Sequence, residues 1–323
     1  MNAASPLLSV RDLRVQFGTP DGIVRAVDGV DFDLQADETL ALVGESGCGK
    51  SVTALALARL VAGPGLRVSG RVELDGRDLT LLSERELRAV RGGTIAYVFQ
   101  DPASSLNPVQ TVGDQIGEMV RLHRRVPDIK AEVVSFMQMV GLPDPASRYR
   151  AYPHEFSGGM QQRVMIAMAL ASHPRVLVAD EPTTALDVTI QAQIFDLLAA
   201  LRRRLHMGIL LITHNLGLVR ANAERVCVMY AGQIVESGPT ERLLAQPAHP
   251  YTRGLLASVP RVGRTGRMPG IEGQVPHPAR LPAGCRFHPR CRWADARCRA
   301  EMPELEDAGE GQRVRCHNWK QLT

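Results

Sequence analysis

The sequence has no long apolar run, few aromatic residues and almost no lysine. Aromatic residues are 4% of the 323, and no apolar stretch approaches the ~18–20 residues that span a bilayer. Residues 1–15 lack a basic region followed by a long apolar core, so we expect no secretory signal. Because 45% of the residues are hydrophobic, a wholly disordered chain is excluded. We expect a soluble, cytosolic protein of up to two domains.

Lysine is nearly replaced by arginine, and the arginines are unevenly placed. Only Lys50, Lys130 and Lys320 are lysines, so a lysine at any of these positions suggests a role that arginine does not fill. Residues 261–300 contain nine arginines and only two acidic residues, Glu272 and Asp295. This segment has a net charge of +7, in a chain whose total is +4. The part of the chain beyond residue 284 also holds four of the six cysteines. Composition therefore marks the C-terminal part as a distinct segment.

Apolar alternation predicts β-strands at the N-terminus, and strands then alternate with helices. Strands are predicted within residues 6–34 and at 39–43, 70–74, 94–99, 176–179, 209–213, 226–230 and 233–236. Helices are predicted over 50–62, most of 111–172 and 188–204. This order implies an α/β fold with a mainly parallel sheet covered on both faces.

The same pattern predicts the domain organisation. We expect one domain over residues 1–245, with a helical subdomain at about 104–172, and a C-terminal extension over residues 246–323. Glycine, proline and arginine dominate beyond residue 260, so we expect little regular structure there.

A glycine-rich segment, Gly44-Glu-Ser-Gly-Cys-Gly-Lys-Ser51, follows a predicted strand and opens a predicted helix. This is the context of a P-loop, in which glycines let backbone N–H groups face phosphates. Lys50 suits the β- and γ-phosphates of ATP, and the Ser51 hydroxyl suits Mg²⁺. Cys48 is interpreted as a small tolerated residue rather than a nucleophile. The positions expected to hold the nucleotide are Gly44, Ser46, Gly47, Cys48, Gly49, Lys50, Ser51 and Val52.

Two carboxylates end the apolar strand that begins after Arg175. Asp180 is placed at the carboxyl edge of the sheet, where ligands of open α/β sheets collect. It suits a Mg²⁺ ion held through water, whereas Glu181 suits a general base for attack of water on the γ-phosphate. A lone Asp-Glu pair after a strand is usually a solvated strand end, and the P-loop reverses that interpretation.

The segment Phe156-Ser-Gly-Gly-Met-Gln-Gln-Arg163 resembles the signature of the ATP-binding cassette (ABC) ATPases. Taken alone, Ser157, Gly158 and Gly159 at a helix N-terminus indicate a second phosphate site. In the family this signature contacts the γ-phosphate bound to the opposite subunit. The resemblance therefore implies a dimer that holds ATP between two cassettes. It also implies a P-loop core sheet with an antiparallel β subdomain and a helical subdomain.

The resemblance covers roughly residues 6–240 and assigns further positions. Gln100 matches the glutamine that contacts Mg²⁺ and the attacking water. Asp187, in Ala185-Leu-Asp187, matches the loop that crosses the dimer. His214 matches the switch histidine that contacts the γ-phosphate, and Phe17 matches the aromatic residue that stacks on adenine, although Phe17 equally suits a core position.

Three further segments are similar to those of the bacterial dipeptide, oligopeptide and nickel importers. They are residues 148–160, 182–193 and 249–260. Met160 and the segment Val164-Met-Ile-Ala-Met168 resemble the D-type ATPase subunit of these importers more than its F-type partner. The resemblance implies a heterodimer with an F-type ATPase at the cytoplasmic face of the membrane. Two permease subunits and an extracytoplasmic peptide-binding protein complete such importers. A nickel or metal-chelate substrate stays an alternative, because selectivity lies in the other subunits.

Cys285, Cys291, Cys298 and Cys316 are separated by five, six and seventeen residues. This spacing is wider than the tight pairs of a zinc ribbon and favours an iron–sulfur cluster. Tails of this kind in peptide-importer ATPases resemble [4Fe–4S] sites. Structural zinc and unligated cysteines stay alternatives, with His288 and His317 as replacement ligands. Disulfides are disfavoured in a reducing compartment, and Cys227 is interpreted as core.

Two rival functions come from other classes. The first is a nucleic-acid-associated ABC ATPase, which the basic segment favours because basic clusters bind phosphate backbones. The chain has neither a second cassette nor a long coiled coil, so we expect no nucleic-acid partner. A binding-only regulator is disfavoured because the hydrolytic positions are intact.

Overall fold

The computed structural model describes residues 5–20, 22–184, 186–259 and 270–322. The chain divides into two compact units. The first contains residues 1–34, 39–80 and 211–323, and the second contains residues 35–38 and 81–210. Among the helices of the described residues, none is both long and apolar enough to cross a membrane.

Twelve strands are described. They are β1 (Leu8–Thr19), β2 (Gly22–Leu34), β3 (Thr39–Val43), β4 (Arg67–Leu74), β5 (Arg77–Asp78), β6 (Ile95–Val98), β7 (Val176–Asp180), β8 (Gly208–Thr213), β9 (Arg225–Tyr230), β10 (Gln233–Pro239), β11 (Glu306–Gly309) and β12 (Gln312–Val314).

Half of the twelve α-helices of the described residues fall between β6 and β8. They are α1 (Lys50–Leu57), α2 (Glu84–Val90), α3 (Pro102–Ser105), α4 (Val112–His123), α5 (Ile129–Met139), α6 (Pro145–Arg148), α7 (Gly158–Leu170), α8 (Val188–Leu205), α9 (Leu216–Asn222), α10 (Thr240–Ala245), α11 (Pro250–Ala257) and α12 (Ala296–Ala300).

An antiparallel sheet of order β2-β1-β4-β5 opens the first unit. The buried residues of β1 alternate at Leu8 and Val10, and then at Leu13 and Val15. The alternation slips by one residue because the pairing with β2 shifts between Val10 and Leu13. Such a β-bulge inserts one extra residue and returns the following side chains to the core face.

A second group of strands in the first unit has the order β11-β12-β10-β9-β3. β3 pairs with β9 in parallel, and all five residues of β3 are buried. A strand buried on both faces reads as a continuous apolar run, which is why β3 was predictable. Cys227 lies in β9 and is 2% exposed, as the core interpretation requires.

The prediction of little regular structure beyond residue 260 holds for most of residues 270–322, but two short strands and one short helix there were not predicted. β12 pairs with β10 through Glu236 opposite Val314, β11 pairs with β12, and α12 precedes them. These strands have three and four residues with mixed polarity, so their sequence carries almost no periodic signal. Their pairing partner is supplied by β10, far away in the chain. Residues 260–269, part of that prediction, lie outside the described residues.

The helix predicted over 50–62 is shorter than expected. α1 ends at Leu57, and Arg59 has a φ of 52°. A left-handed residue ends the helical path, and Gly63, Pro64 and Gly65 then keep the chain irregular.

The second unit contains the predicted helical stretch. β6 pairs with β7 in parallel, with Val98 opposite Ala179. The helices α4, α5, α6 and α7 are interrupted near the predicted breaks at Pro127, Gly141 to Pro145 and Pro153. With the parallel pairing in both units and the antiparallel sheet of the first, the predicted α/β class is confirmed. The strand β8 carries the chain from the second unit back to the first.

A buried carboxylate fastens the C-terminal extension to β10. Glu236 is fully buried and accepts hydrogen bonds from the N–H groups of Ala248 (2.7 Å) and His249 (3.0 Å). It also accepts a hydrogen bond from the side-chain amide of Gln312 on β12, at 2.6 Å. Burial raises the pKa of Glu236, and these hydrogen bonds oppose that rise. The carboxylate therefore joins β10, the start of α11 and β12.

We predict that Glu236→Ala lowers the free energy of unfolding by about 2 kcal/mol, because three buried donors lose their acceptor. Urea unfolding followed by circular dichroism measures this. The control is Glu304→Ala, at an exposed position of the same extension, where we expect no change. Equal stability of the two variants would contradict the proposed fastening role.

Candidate phosphate-binding site

The predicted strand–loop–helix arrangement is present in the first unit. β3 ends at Val43, residues 44–49 form the loop, and α1 begins at Lys50. Ser46, Gly47 and Ser51 are exposed, and Val52 is half-buried. The tip of the loop and the first turn of α1 are thus accessible to a ligand, and a helix N-terminus favours an anion there.

Lys50 is enclosed by the loop that precedes it. Its residue is 6% exposed, and Nζ donates to the carbonyl oxygens of Gly44 (2.8 Å) and Glu45 (3.1 Å). A buried ammonium group needs such acceptors, because an unpaired buried charge is costly. The loop therefore holds a positive charge at its centre.

Two of the three glycines of the loop, Gly44 and Gly49, have no room for a side chain. Gly49 has a φ of 106°, and a Cβ there would collide with the carbonyl oxygen of Ala26 on β2. A Cβ on Gly44 would collide with the carbonyl oxygen of Met229 on β9. The loop is thus packed directly against the backbones of two strands, and glycine is required by contact as well as by conformation.

Cys48 also faces inward. It is fully buried, and burial raises the pKa of its thiol. Its carbonyl oxygen accepts a hydrogen bond from Gly232 N–H at 2.9 Å. A neutral buried thiol is a poor nucleophile, in keeping with its interpretation as a packing residue.

Two C-terminal side chains contact the loop, and the sequence analysis missed both. The N–H of Glu45 donates to the Tyr251 hydroxyl at 2.8 Å. Arg290 donates two hydrogen bonds to the Glu45 carboxylate, at 2.7 and 3.1 Å. The one available signal was a carboxylate inside an anion-binding loop, which calls for a compensating cation. It does not indicate which of the many arginines supplies that cation.

Two other predicted residues lie in the first unit. Phe17 is in β1, half-buried, with its ring about 3 Å from where a Cβ on Gly63 would lie. His214 directly follows β8 and is exposed. Their predicted contacts with adenine and with the γ-phosphate stay predictions.

The second unit holds the predicted carboxylates and Gln100. Gln100 follows β6, Asp180 is the last residue of β7, and Glu181 comes next. Because β6 and β7 are parallel, all three lie at the same edge of their sheet. Glu181 has a φ of 46°, and its carboxylate accepts a hydrogen bond from Thr184 Oγ1 at 3.0 Å. A left-handed glutamate is strained, and such strain collects at functional sites.

The Ser-Gly-Gly segment opens α7, as predicted. Ser157 is the N-cap, and its side chain accepts from Met160 N–H at 3.4 Å. Gly158 is exposed, whereas a Cβ on Gly159 would lie 2.8 Å from Ile190. Asp187 caps α8 by accepting from Ile190 N–H at 2.9 Å. Ala185, part of the predicted dimer-crossing loop, lies outside the described residues.

The four predicted cysteine ligands share one small cavity in the first unit. Its lining includes Cys285, Cys291, Cys298 and Cys316, with Trp293, His288 and His317. Burial raises the pKa of Cys285 to about 11 and that of Cys316 to about 12, so these thiols are neutral.

The side chains of this cavity fit a metal in their chemistry but not in their positions. Four thiols are the donor set of iron–sulfur clusters, so the chemistry of the donors fits. However, no three His, Cys, Asp or Glu side chains in the described ranges are arranged to hold a metal ion. The geometry therefore gives no support to a formed [4Fe–4S] or zinc site.

Comparison with known proteins places these features in a family. Residues 27–184 match the family model described as ABC transporter. Residues 235–298 match the model of the oligopeptide/dipeptide transporter C-terminal region. The chain is 50% identical over 315 residues to a protein of Brucella abortus named "Putative peptide import ATP-binding protein", covering 97% of this chain and 95% of that one. It is 49% identical over 318 residues to a "Probable peptide ABC transporter ATP-binding protein" of Sinorhizobium fredii, with the same coverage.

Solved structures of ATP-binding cassettes share the fold. A dimeric cassette in a post-hydrolysis state with ADP and Pi is 25% identical, with a TM-score of 0.64 over 72% of this chain and 98% of that one. A component of an ABC transporter complex of Clostridium perfringens is 26% identical, with a TM-score of 0.65 over 75% and 92%.

We predict that Gly49→Ala destabilises the protein by about 2 kcal/mol more than Gly76→Ala, because overpacking adds to conformational strain. Gly76 is the matched control: its φ is 76°, and a Cβ there meets nothing within 4 Å. Chemical denaturation of both variants measures the difference. Equal losses would show that backbone conformation, rather than contact with Ala26, determines the need for glycine.

Proposed function

Because the chain belongs to the ABC transporter family of ATP-binding proteins, we propose that it is the ATP-hydrolysing subunit of a dipeptide and oligopeptide importer. The observation that carries the proposal is the loop around Lys50, whose path is constrained by glycines. This loop occurs in a chain that is similar over nearly its whole length to peptide import ATP-binding proteins. The match of residues 235–298 to the oligopeptide/dipeptide transporter C-terminal region supports the peptide branch.

In the proposed mechanism the loop binds the phosphates of ATP. The backbone N–H groups of the exposed residues Ser46 and Gly47 donate hydrogen bonds to the phosphate oxygens, and Lys50 supplies the positive charge. Ser51, Gln100 and Asp180 are the proposed residues for Mg²⁺, and their hard oxygen donors fit that ion. When bound, Mg²⁺ neutralises charge on the phosphates. Phe17 is the proposed stacking partner of adenine.

Hydrolysis is assigned to Glu181 and His214. The Glu181 carboxylate accepts a proton from water while the water oxygen attacks the γ-phosphorus, and ADP leaves in line. The hydrogen bond from Thr184 restrains this carboxylate at the sheet edge. His214 is the proposed contact to the γ-phosphate.

The exposed start of α7 supports the proposal of a dimer. Ser157, Gly158 and Gly159 offer a helix N-terminus for the γ-phosphate bound to a second cassette. Asp187, exposed at the start of α8, is the proposed dimer-crossing residue. We propose an F-type ATPase as the second subunit, so that ATP binding closes the pair and hydrolysis reopens it.

The remaining partners follow from the importer proposal. Two membrane permease subunits would bind the ATPase pair at the cytoplasmic face and change conformation as the pair closes and opens. An extracytoplasmic peptide-binding protein would deliver the substrate. Co-purification with tagged protein and uptake by vesicles containing the purified complex test this. ATP-dependent uptake of dipeptides supports the proposal, uptake of a nickel chelate alone favours the alternative substrate, and nucleic-acid binding without a permease overturns it.

The four cysteines belong to a finer proposal, a [4Fe–4S] cluster held by Cys285, Cys291, Cys298 and Cys316. What supports it is the chemistry of the donors, because four thiols line this cavity and thiolates are the ligands of such clusters. Ligation requires thiolates and burial raises the pKa of these thiols, so assembly of a cluster would release protons. Structural zinc is the alternative.

We predict that Glu181→Gln retains ATP binding, stabilises the closed dimer and abolishes turnover, because the amide keeps the shape but loses the basic group. Phosphate release and size-exclusion chromatography with ATP measure the two effects. The control is Glu304→Gln, at an exposed position of the extension, with turnover unchanged. Undiminished hydrolysis by Glu181→Gln would remove Glu181 from its role.

We predict that anaerobically purified protein is brown, and that Cys291→Ala removes its visible absorption by deleting one ligand. The control is Cys227→Ala, which alters a buried cysteine in β9 and should leave the colour. Iron and zinc analysis accompanies the spectra. Colourless protein with stoichiometric zinc would overturn the cluster proposal.

A further inference from the structure

An arginine of the C-terminal extension is fixed against the phosphate loop. The Arg290 side chain is 3% exposed, and its guanidinium binds both carboxylate oxygens of Glu45, at 2.7 and 3.1 Å. Such a two-point contact fixes orientation as well as distance. Burial opposes the charge of Arg290, but the hydrogen bonds to Glu45 outweigh it and raise the pKa of Arg290.

The guanidinium is itself held in place by its own segment. Nε donates to the carbonyl oxygen of Glu272 at 2.9 Å, and a terminal nitrogen donates to that of Ile271 at 3.1 Å. Its carbon lies 5.8 Å from the ring centroid of Tyr230 at the end of β9. Arg290 is therefore preorganised, and Glu45 docks onto it.

Glu45 is an unfavourable residue for a loop that binds phosphate. It follows Gly44, whose carbonyl oxygen holds Lys50, and its own carbonyl is the second acceptor of Lys50. An uncompensated carboxylate there would repel phosphate and compete for the lysine. The pairing with Arg290 neutralises the charge and holds it on the side of the C-terminal extension.

We propose that Arg290 is a positioning residue for ATP, which places the affinity of the phosphate loop under the control of the C-terminal extension. The inference rests on the proposed ATPase function. Because Arg290 directly precedes Cys291, which lines the four-cysteine cavity, a change at that cavity reaches the loop through one peptide unit. The extension thereby tunes nucleotide binding as well as stabilising the fold.

The test compares Arg290→Gln with the wild-type chain. Titration with a fluorescent ATP analogue gives Kd, and steady-state hydrolysis gives KM and kcat. We expect Arg290→Gln to weaken ATP binding about tenfold, with KM raised and kcat little changed, since ground-state binding is what is lost. Raising the ionic strength should shrink this difference, because salt screens the repulsion between Glu45 and phosphate.

Three further variants separate charge from structure. Arg290→Lys keeps the positive charge but cannot make the two-point contact with the Glu45 carboxylate, and should bind ATP with intermediate affinity. Glu45→Gln combined with Arg290→Gln removes both charges and should return Kd to within about threefold of wild type. Arg292→Ala, which removes an exposed arginine stacked on Trp293 in the same segment, is the control with unchanged Kd.

Each outcome has one meaning, and thermal unfolding of every variant shows which are folded. Wild-type affinity in Arg290→Gln, or no rescue by the double variant, overturns the inference and leaves the ATPase proposal intact. If Arg290→Gln does not fold, Arg290→Lys decides, and wild-type affinity at low salt overturns the inference. A wild-type chain that binds no ATP overturns the proposed function itself, and the inference with it.

Discussion

The first unit depends on one enclosed charge, the Lys50 ammonium held by the carbonyl oxygens of Gly44 and Glu45. A loop that turns its carbonyls onto a lysine and keeps N–H groups for a ligand must be supported from outside. Ala26 and Met229 supply that support by direct backbone contact on one side. The absence of any side chain at Gly44 and Gly49 is what allows the strands to approach so closely.

Support from the other side comes from the end of the chain. The Tyr251 hydroxyl accepts a hydrogen bond from the N–H of Glu45, and Arg290 donates hydrogen bonds to the Glu45 carboxylate. Tyr251 is held in place because Glu236 joins the start of α11 to β10 and β12, whereas Arg290 is held by the carbonyl oxygens of Glu272 and Ile271. The extension is therefore integrated into the hydrogen bonding of the first unit, and its cysteine cavity lies within the same packed body.

The features predictable from sequence are those whose cause is local. The loop at Lys50, the N-cap at Ser157 and the strand end at Asp180 each depend on residue types within a few positions of one another. The pairing of Arg290 with Glu45 joins residues 245 positions apart, so no local pattern contains it. The strand β12 was missed for the same reason, because its partner β10 supplies the order that its own short sequence does not.

The uneven charge of the sequence also has a structural explanation that bears on the rival function. Arg286 and Arg290, both from the strongly basic stretch, are buried and bind Asp28 and Glu45. Their charge is thus compensated inside the fold, where a nucleic-acid backbone cannot reach it. Arg297 adds a surface pair with Glu301, a contact that also lowers the charge available to a polyanion. Two arginines of this stretch therefore have structural roles: Arg286 binds Asp28 on β2, and Arg290 fastens the extension to the phosphate loop.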